Sequence, residues 1–177
     1  MEKQISSELI YQGKIIKVYK DKVECENGNI ATREVVRHRG GVGVLAIVDD
    51  KVLLVKQYRY PNASETLEIP AGKLEESEKT EICALRELEE ETGYSAKGIE
   101  LIAKFLPTPG YSDEWLYVYH AKDVFKVENP ADCDEDEVIE LVRIDIDKAY
   151  QMVVSGEIFD SKTMIAIMHA YINKHKK

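Results

Sequence analysis

Basic residues are scarce in this 177-residue chain: 24 Lys and Arg stand against 33 Asp and Glu, a formal net charge of −9. That deficit argues against non-specific nucleic-acid binding, which runs on clustered Lys and Arg. Long apolar runs are missing as well. The longest, residues 42–48, is interrupted by Gly43 and falls far short of the ~18 residues a membrane helix needs. The three cysteines (Cys25, Cys83, Cys133) lie far apart without a C-x-x-C, which excludes a disulfide framework or a zinc site built from them alone. The opening residues MEKQISSELIYQ lack the basic and apolar regions of a signal peptide. A reduced, soluble, cytoplasmic protein is the expectation. With 44% apolar residues the chain can bury a core, and its length suits one domain with room for a small appendage.

No internal repeat or Gly/Ser/Pro-rich linker divides the chain. The first sixty residues read as strands, with Glu26-Asn27-Gly28-Asn29 a strong hairpin signal because Asn-Gly accepts positive φ. Gly40-Gly41 marks a corner or bulge. The run 42–48 reads as a strand covered on both faces, and Asp49-Asp50 turns it into a further strand at Val52. Pro61-Asn62 opens a loop, and residues 67–69 form a short strand. From 79 to 92 the period becomes helical, with Gly93 suited to close the helix. Strands are expected at about 99–106, 114–120 and 138–144. Asp147 is a candidate cap for a helix ending near Gly156, and Asp160 or Ser161 for one reaching about Asn173. Residues 120–130 give no clear signal. Connections too short for parallel crossovers predict a mixed, largely antiparallel sheet with helices packed on it, an α+β fold. The first forty or so residues form a separate antiparallel sheet.

Residues 75–91 hold eight glutamates against Lys79 and Arg86. A charge run is ordinarily a solvated helix face, but at ~100° per residue Glu87, Glu90 and Glu91 fall at about 0°, −60° and +40°. Ile82, Leu85 and Leu88 make a stripe on nearly the opposite side. Like charges at i, i+3 and i+4 cost ~0.2–0.5 kcal/mol per pair unless neutralised. A hard divalent cation, Mg²⁺ or Mn²⁺, is the natural neutraliser, whereas Zn²⁺ would call for His or Cys. Pro70-Ala71-Gly72 supplies a loop whose backbone can approach a metal or phosphate, with carbonyls as further hard-oxygen ligands. Arg86 pairs with Glu78 or another carboxylate, as an organiser rather than a ligand.

Taken together these residues read Gly72-x5-Glu78-x7-Arg86-Glu87-Leu88-x-Glu90-Glu91-x-Gly93-Tyr94. The pattern resembles the signature of the Nudix hydrolases, G-x5-E-x7-R-E-U-x-E-E-x-G-U. All seven fixed identities match, a coincidence of ~10⁻⁸ per window at ordinary residue abundance; Tyr94 in the last aliphatic position is the one departure. Flanking residues extend the likeness. Lys56-Gln57-Tyr58-Arg59-Tyr60-Pro61, then Leu67-Glu68-Ile69-Pro70-Ala71-Gly72-Lys73, Thr32-Arg33-Glu34-Val35-Val36, and Pro109 sixteen residues beyond Gly93 are similar to the ADP-ribose pyrophosphatase branch.

The resemblance implies an α+β fold of the α/β/α sandwich type. Residues 1–40 would form an antiparallel arm serving dimerisation, and 41–177 the catalytic domain. It implies hydrolysis of ADP-ribose to AMP and ribose 5-phosphate with two or three Mg²⁺ ions. Metal ligands would be Glu87, Glu90, Glu91 and Ala71, with Arg86 supporting them. Arg59 would hold the pyrophosphate with Glu68 beside it, Glu114 the terminal ribose, and Arg33 would lie near the adenosine. In the acidic segment 132–137, otherwise a solvated loop, Glu137 would act as the base, with Glu135 second. Arg33, Arg37, His38 and Arg39 read either as strand surface or as a phosphate or base contact. Tyr58, Tyr60 and Trp115 read as core or interface aromatics, or as adenine platforms; His169 and His175 as surface or packing residues. A homodimer is implied, with arms exchanged between subunits; nucleic acid and membrane are not partners. Another nucleoside diphosphate derivative as substrate, or a sensor without turnover, are the alternatives.

Overall fold

Asn27 and Gly28 turn the chain as the sequence predicts: Gly28 takes φ +80 and its N–H donates to the Cys25 carbonyl at 2.9 Å. The turn joins strands of an antiparallel sheet in the order β1 (Lys3–Gln12), β2 (Lys17–Glu24), β3 (Ile30–Arg37). The computed structural model describes residues 1–131 and 138–176. It divides into two units, one of residues 1–40 with 106–115, the other of 41–105 with 116–177. Segment 106–115 joins the first unit through its backbone. The Val36 N–H donates to the Tyr111 carbonyl at 2.7 Å, and the Asp113 N–H to the Val36 carbonyl at 3.2 Å.

The second unit holds β4 (Gly41–Leu45), β5 (Ile47–Val48), β6 (Lys51–Arg59), β7 (Ser64–Glu68), β8 (Ala71–Lys73) and α1 (Thr80–Thr92). After these come β9 (Tyr94–Phe105), β10 (Leu116–Lys126), β11 (Glu140–Asp145), α2 (Ile146–Ser155) and α3 (Ser161–His175). One sheet runs β8-β4-β10-β9, the other β11-β6-β5 with β7 on β6. Among the described strands of this unit only β4 and β10 pair in parallel, Gly41 opposite Leu116 through Leu45 opposite His120; the other strand pairs are antiparallel, so the pairing is mixed as expected.

Alternation places two cores on opposite faces of the strands. Val42 and Val44 of β4, Leu53 of β6 and Tyr119 of β10 pack with Cys83, Ala84 and Leu88 of α1. Leu45, Val52, Leu54 and Val118 point the other way, to Ala149 and Val153 of α2 and Ala166, Ile167 and Ala170 of α3. Helices therefore cover both faces, the α/β/α sandwich.

Several local expectations change. The run 42–48 is two strands, broken at Ala46, whose carbonyl accepts from Leu53 N–H at 2.9 Å. Asp49 and Asp50 both take positive φ, 52° and 59°, the backbone that a two-residue hairpin turn of the primed type requires. The silent stretch after His120 continues β10 to Lys126. The cap of α2 is Asp145, whose carboxylate accepts from the N–H groups of Asp147 and Lys148. Asp147 lies inside the first turn and binds Lys174 and His175 instead.

Candidate active site

Helix α1 starts after Lys79 and closes at Gly93, which at φ +70 donates its N–H to the Glu89 carbonyl at 2.8 Å. Its buried face differs from the expected stripe. Cys83, Ala84 and Leu88 are fully buried, while Ile82 is 58% exposed. Ala71 and Gly72, expected in a loop, belong to the short strand β8 paired with β4; Glu91 is itself buried, at 6%, because its carboxylate accepts the Ala71 N–H at 2.8 Å. The entry to β8 is pinned on β4, where the Pro70 carbonyl accepts from Val44 N–H at 2.8 Å. Gly72 follows. A Cβ added there would sit 1.9 Å from the Glu87 carboxyl carbon, so the Glu87 carboxylate lies directly on the glycine backbone.

Arg86 organises the acidic face. Its Nε and Nη2 donate to the two oxygens of Glu78 at 3.0 and 3.1 Å. Its Nη1 donates to Glu87 at 2.8 Å and to Glu90 at 2.9 Å. The Arg86 hydrogen bonds, against some burial and helped by the Glu75 N–H, hold the Glu78 carboxyl down to about 2. One guanidinium thus ties three carboxylates together, and the group keeps a net negative charge. Among the described residues no group of three His, Cys, Asp or Glu converges closely enough to hold a metal ion. The donors present do suit a hard dication. They are carboxylate oxygens set against a glycine backbone, and burial pushes the neighbouring Cys83 thiol up and away from the thiolate that zinc would need.

A second cluster is built from β6, β7 and α3. Arg59 Nε and Nη2 bind Glu68 in a bidentate pair, both at 2.7 Å. Glu68, at 3% exposure, also accepts from Thr66 Oγ1 at 2.6 Å and from Lys162 Nζ. Burial alone would raise the Glu68 carboxyl, but Arg59, Lys162 and Thr66 outweigh it and hold it to about 2. The Glu68 hydrogen bonds in turn push the Arg59 guanidinium up, and the charges of Glu91 and Asp160 add to this. Arg59 therefore lies within electrostatic reach of the acidic helix. Arg59, Thr66, Glu68, Asp160 and Lys162 border a cavity of about 370 Å³.

The remaining candidates are distributed as follows. Arg33 pairs with Glu2, and Glu114 lies 3.3 Å from His38 Nδ1, both within the first unit. Arg37 binds Asp113 at 3.0 Å. Tyr58, Tyr60 and Trp115 are 58%, 85% and 41% exposed, so none is a core aromatic. His169 packs edge-on to His120, and His175 pairs with Asp147. Tyr94, the departure from the signature, is buried with its hydroxyl accepting from Arg143 and its ring under that guanidinium. Glu135 and Glu137 lie outside the described residues. Sequence reasoning missed Thr66, Asp160 and Lys162. One signal was available: a lysine in the first turn of a helix opposes the macrodipole and implies a carboxylate partner.

A family model described as NUDIX domain matches residues 37–164, and one described as nucleoside diphosphate sugar hydrolase N-terminal domain matches residues 2–36. The chain is 44% identical to a Bacillus methanolicus protein named methanol dehydrogenase activator, over 99% of this chain and 97% of that protein. It is 43% identical to an ADP-ribose pyrophosphatase of Bacillus subtilis, over 98% and 94%. A protein of the same name from Mycobacterium tuberculosis is 34% identical, over 93% and 80%. A crystal structure titled ADP compounds hydrolase superposes with a TM-score of 0.84 at 20% identity, covering 98% of this chain and 95% of that one, a likeness of fold. With all seven fixed residues of the signature between β8 and the end of α1, Gly72 laid against Glu87, and a domain match across most of the chain, the protein belongs to the Nudix family.

Proposed function

We propose that this protein hydrolyses the pyrophosphate bond of ADP-ribose, giving AMP and ribose 5-phosphate. The observation that carries the substrate is likeness over nearly the whole chain to proteins named ADP-ribose pyrophosphatase. Nudix hydrolases generally need divalent metals; Mg²⁺ is the cation proposed here, two or three per site. Glu87, Glu90, Glu91 and the Ala71 carbonyl would hold the ions. When bound they would supply charge neutralisation of the pyrophosphate and an acidified water.

The chain's own residues do the rest. Arg86 sets the rotamers of Glu87 and Glu90 and must yield part of its hold as they turn to other partners. Gly72 leaves room for the Glu87 carboxylate against β8. Arg59, fixed by Glu68, presents the free edge of its fork to a phosphate oxygen. Glu137 would take the proton of the attacking water. Glu114 would bind the terminal ribose and Arg33 the adenosine end. Residues 1–40 would serve dimerisation and 41–177 catalysis, in a cytoplasmic homodimer. No helix of the described residues is long and apolar enough to cross a membrane.

Product analysis after incubation with ADP-ribose and Mg²⁺ tests the reading: AMP with ribose 5-phosphate is expected, and binding without turnover would overturn it. The match to a nucleoside diphosphate sugar hydrolase N-terminal domain favours a second reading, another nucleoside diphosphate sugar as preferred substrate. A substrate panel ranked by kcat/KM separates the two.

A further inference from the structure

Lys162 is 8% exposed, a burial that lysine rarely adopts without a specific partner. Its stem is confined: a Cβ on Gly43 would come within 3.4 Å of Lys162 Cδ and 2.7 Å of Ile69 Cδ1. The ammonium donates to Glu68 and, at 3.0 Å, to Asp160. Helix α3 has no need of it. Asp160 already caps the helix, accepting from Thr163 N–H at 3.0 Å and Thr163 Oγ1 at 2.6 Å, and a cation in the first turn opposes the dipole. The role of Lys162 must therefore be sought at Glu68.

Glu68 offers four acceptor positions, and Arg59 Nε, Arg59 Nη2, Thr66 Oγ1 and Lys162 Nζ fill them. Two cations meet one buried carboxylate. If Arg59 faced Glu68 alone, the guanidinium charge would be matched one to one. With Lys162 present, the buried carboxylate is held from both sides, and Asp160 balances the second cation: one of its oxygens accepts from Lys162 while the other caps α3. Of the two cations Arg59 is the one open to a ligand, its side chain 39% exposed against 10% for Lys162.

We propose that Lys162 is a positioning residue for the substrate phosphate: it anchors the buried Glu68 carboxylate that Arg59 grips, so that the guanidinium is fixed in its plane at the border of the cavity. The assignment rests on the reading that Arg59 holds the pyrophosphate, and the variants below separate the two.

Steady-state constants for ADP-ribose with Mg²⁺ are measured for wild type, Arg59→Ala, Lys162→Met, Lys162→Arg and the double variant Arg59→Ala/Lys162→Met, with Tm as a folding control. Lys162→Gln, which keeps a donor and most of the length, replaces Lys162→Met should the latter not fold. Loss of one charge-assisted hydrogen bond corresponds to about tenfold or more in affinity. The expected result is therefore that Lys162→Met raises KM about tenfold with kcat within about threefold. Lys162→Arg restores KM, and the double variant matches Arg59→Ala alone. If Arg59→Ala leaves KM unchanged, the phosphate role of Arg59 fails. If Arg59→Ala raises KM but the uncharged Lys162 variants do not, the positioning role is overturned and the Arg59 reading stands. Additive KM defects in the double variant would mean that Lys162 acts independently of Arg59, which also overturns it.

Discussion

Gly72 shows how a single missing methyl group can govern a catalytic face. An alanine Cβ would lie 1.9 Å from the Glu87 carboxyl carbon, and the clash is with the far end of a flexible side chain. The protein can relieve it by swinging that carboxylate more than an ångström aside, at little cost to the fold. Gly72→Ala is therefore expected to keep Tm within a few degrees while cutting turnover by about 10²-fold, since misplacement on that scale is expensive in rate; parallel thermal melts and turnover assays check it. Glu68 yields a pH prediction of defined sign. Its carboxyl is held to about 2 in the folded chain against an ordinary 4.5, so the unfolded chain takes up the proton first as acid is added. The stabilisation, on the order of 3 kcal/mol, is complete above pH 4.5 and drains away as pH falls toward 2. Denaturant titrations across that window should show a shallower acid loss for Glu68→Gln than for wild type. Glu78, lowered in the same direction, keeps some slope in both.

Among the elements, α2 separates what neighbouring residues dictate from what distant ones decide. Two aspartates stand at its start, two positions apart, and either could cap by local chemistry. Asp145 does so because Asp147 is drawn to Lys174 and His175 at the end of α3. Asp145→Ala should cost about 1 kcal/mol of stability, and Asp147→Ala, which loses only exposed pairs with Lys174 and His175, should cost less; urea midpoints compare them. The same division governs what was legible in the sequence. Gly28, Gly93 and Gly156 close turns and helices by backbone preference alone, so these boundaries were readable, and the spaced signature located α1 and its acids. The parallel pairing of β4 with β10 was not readable, since Gly41 and its partner Leu116 lie 75 positions apart and no local signal encodes a partner. Nor was the burial of Glu91, which follows from its bond to Ala71 N–H of β8. The Glu68–Lys162 pair spans 94 residues and left only the misplaced cation on α3 as a clue.

For the molecule as a whole, β1 is the feature that asks for company. All ten of its residues are exposed, Ile5, Leu9 and Ile10 among them at 53%, 48% and 56%, and it forms one edge of its sheet. Bare apolar edges invite pairing with another chain. The proposed homodimer should run in solution at twice 20.2 kDa, and Ile5→Lys/Leu9→Lys should shift the mass to a single chain, as light scattering would read.

The short backbone from Glu68 to Gly72 is tied at both ends of the sandwich. The Ile69 N–H donates to Thr163 Oγ1 of α3 at 2.9 Å, and the Ala71 N–H to Glu91 of α1 at 2.8 Å. Helices on opposite faces thus share one rivet. A bond to each helix from one short segment couples the two faces, so activity and far-UV ellipticity are expected to vanish along a common curve. Amide deuteration at Ile69 should be as slow as opening of the entire second unit.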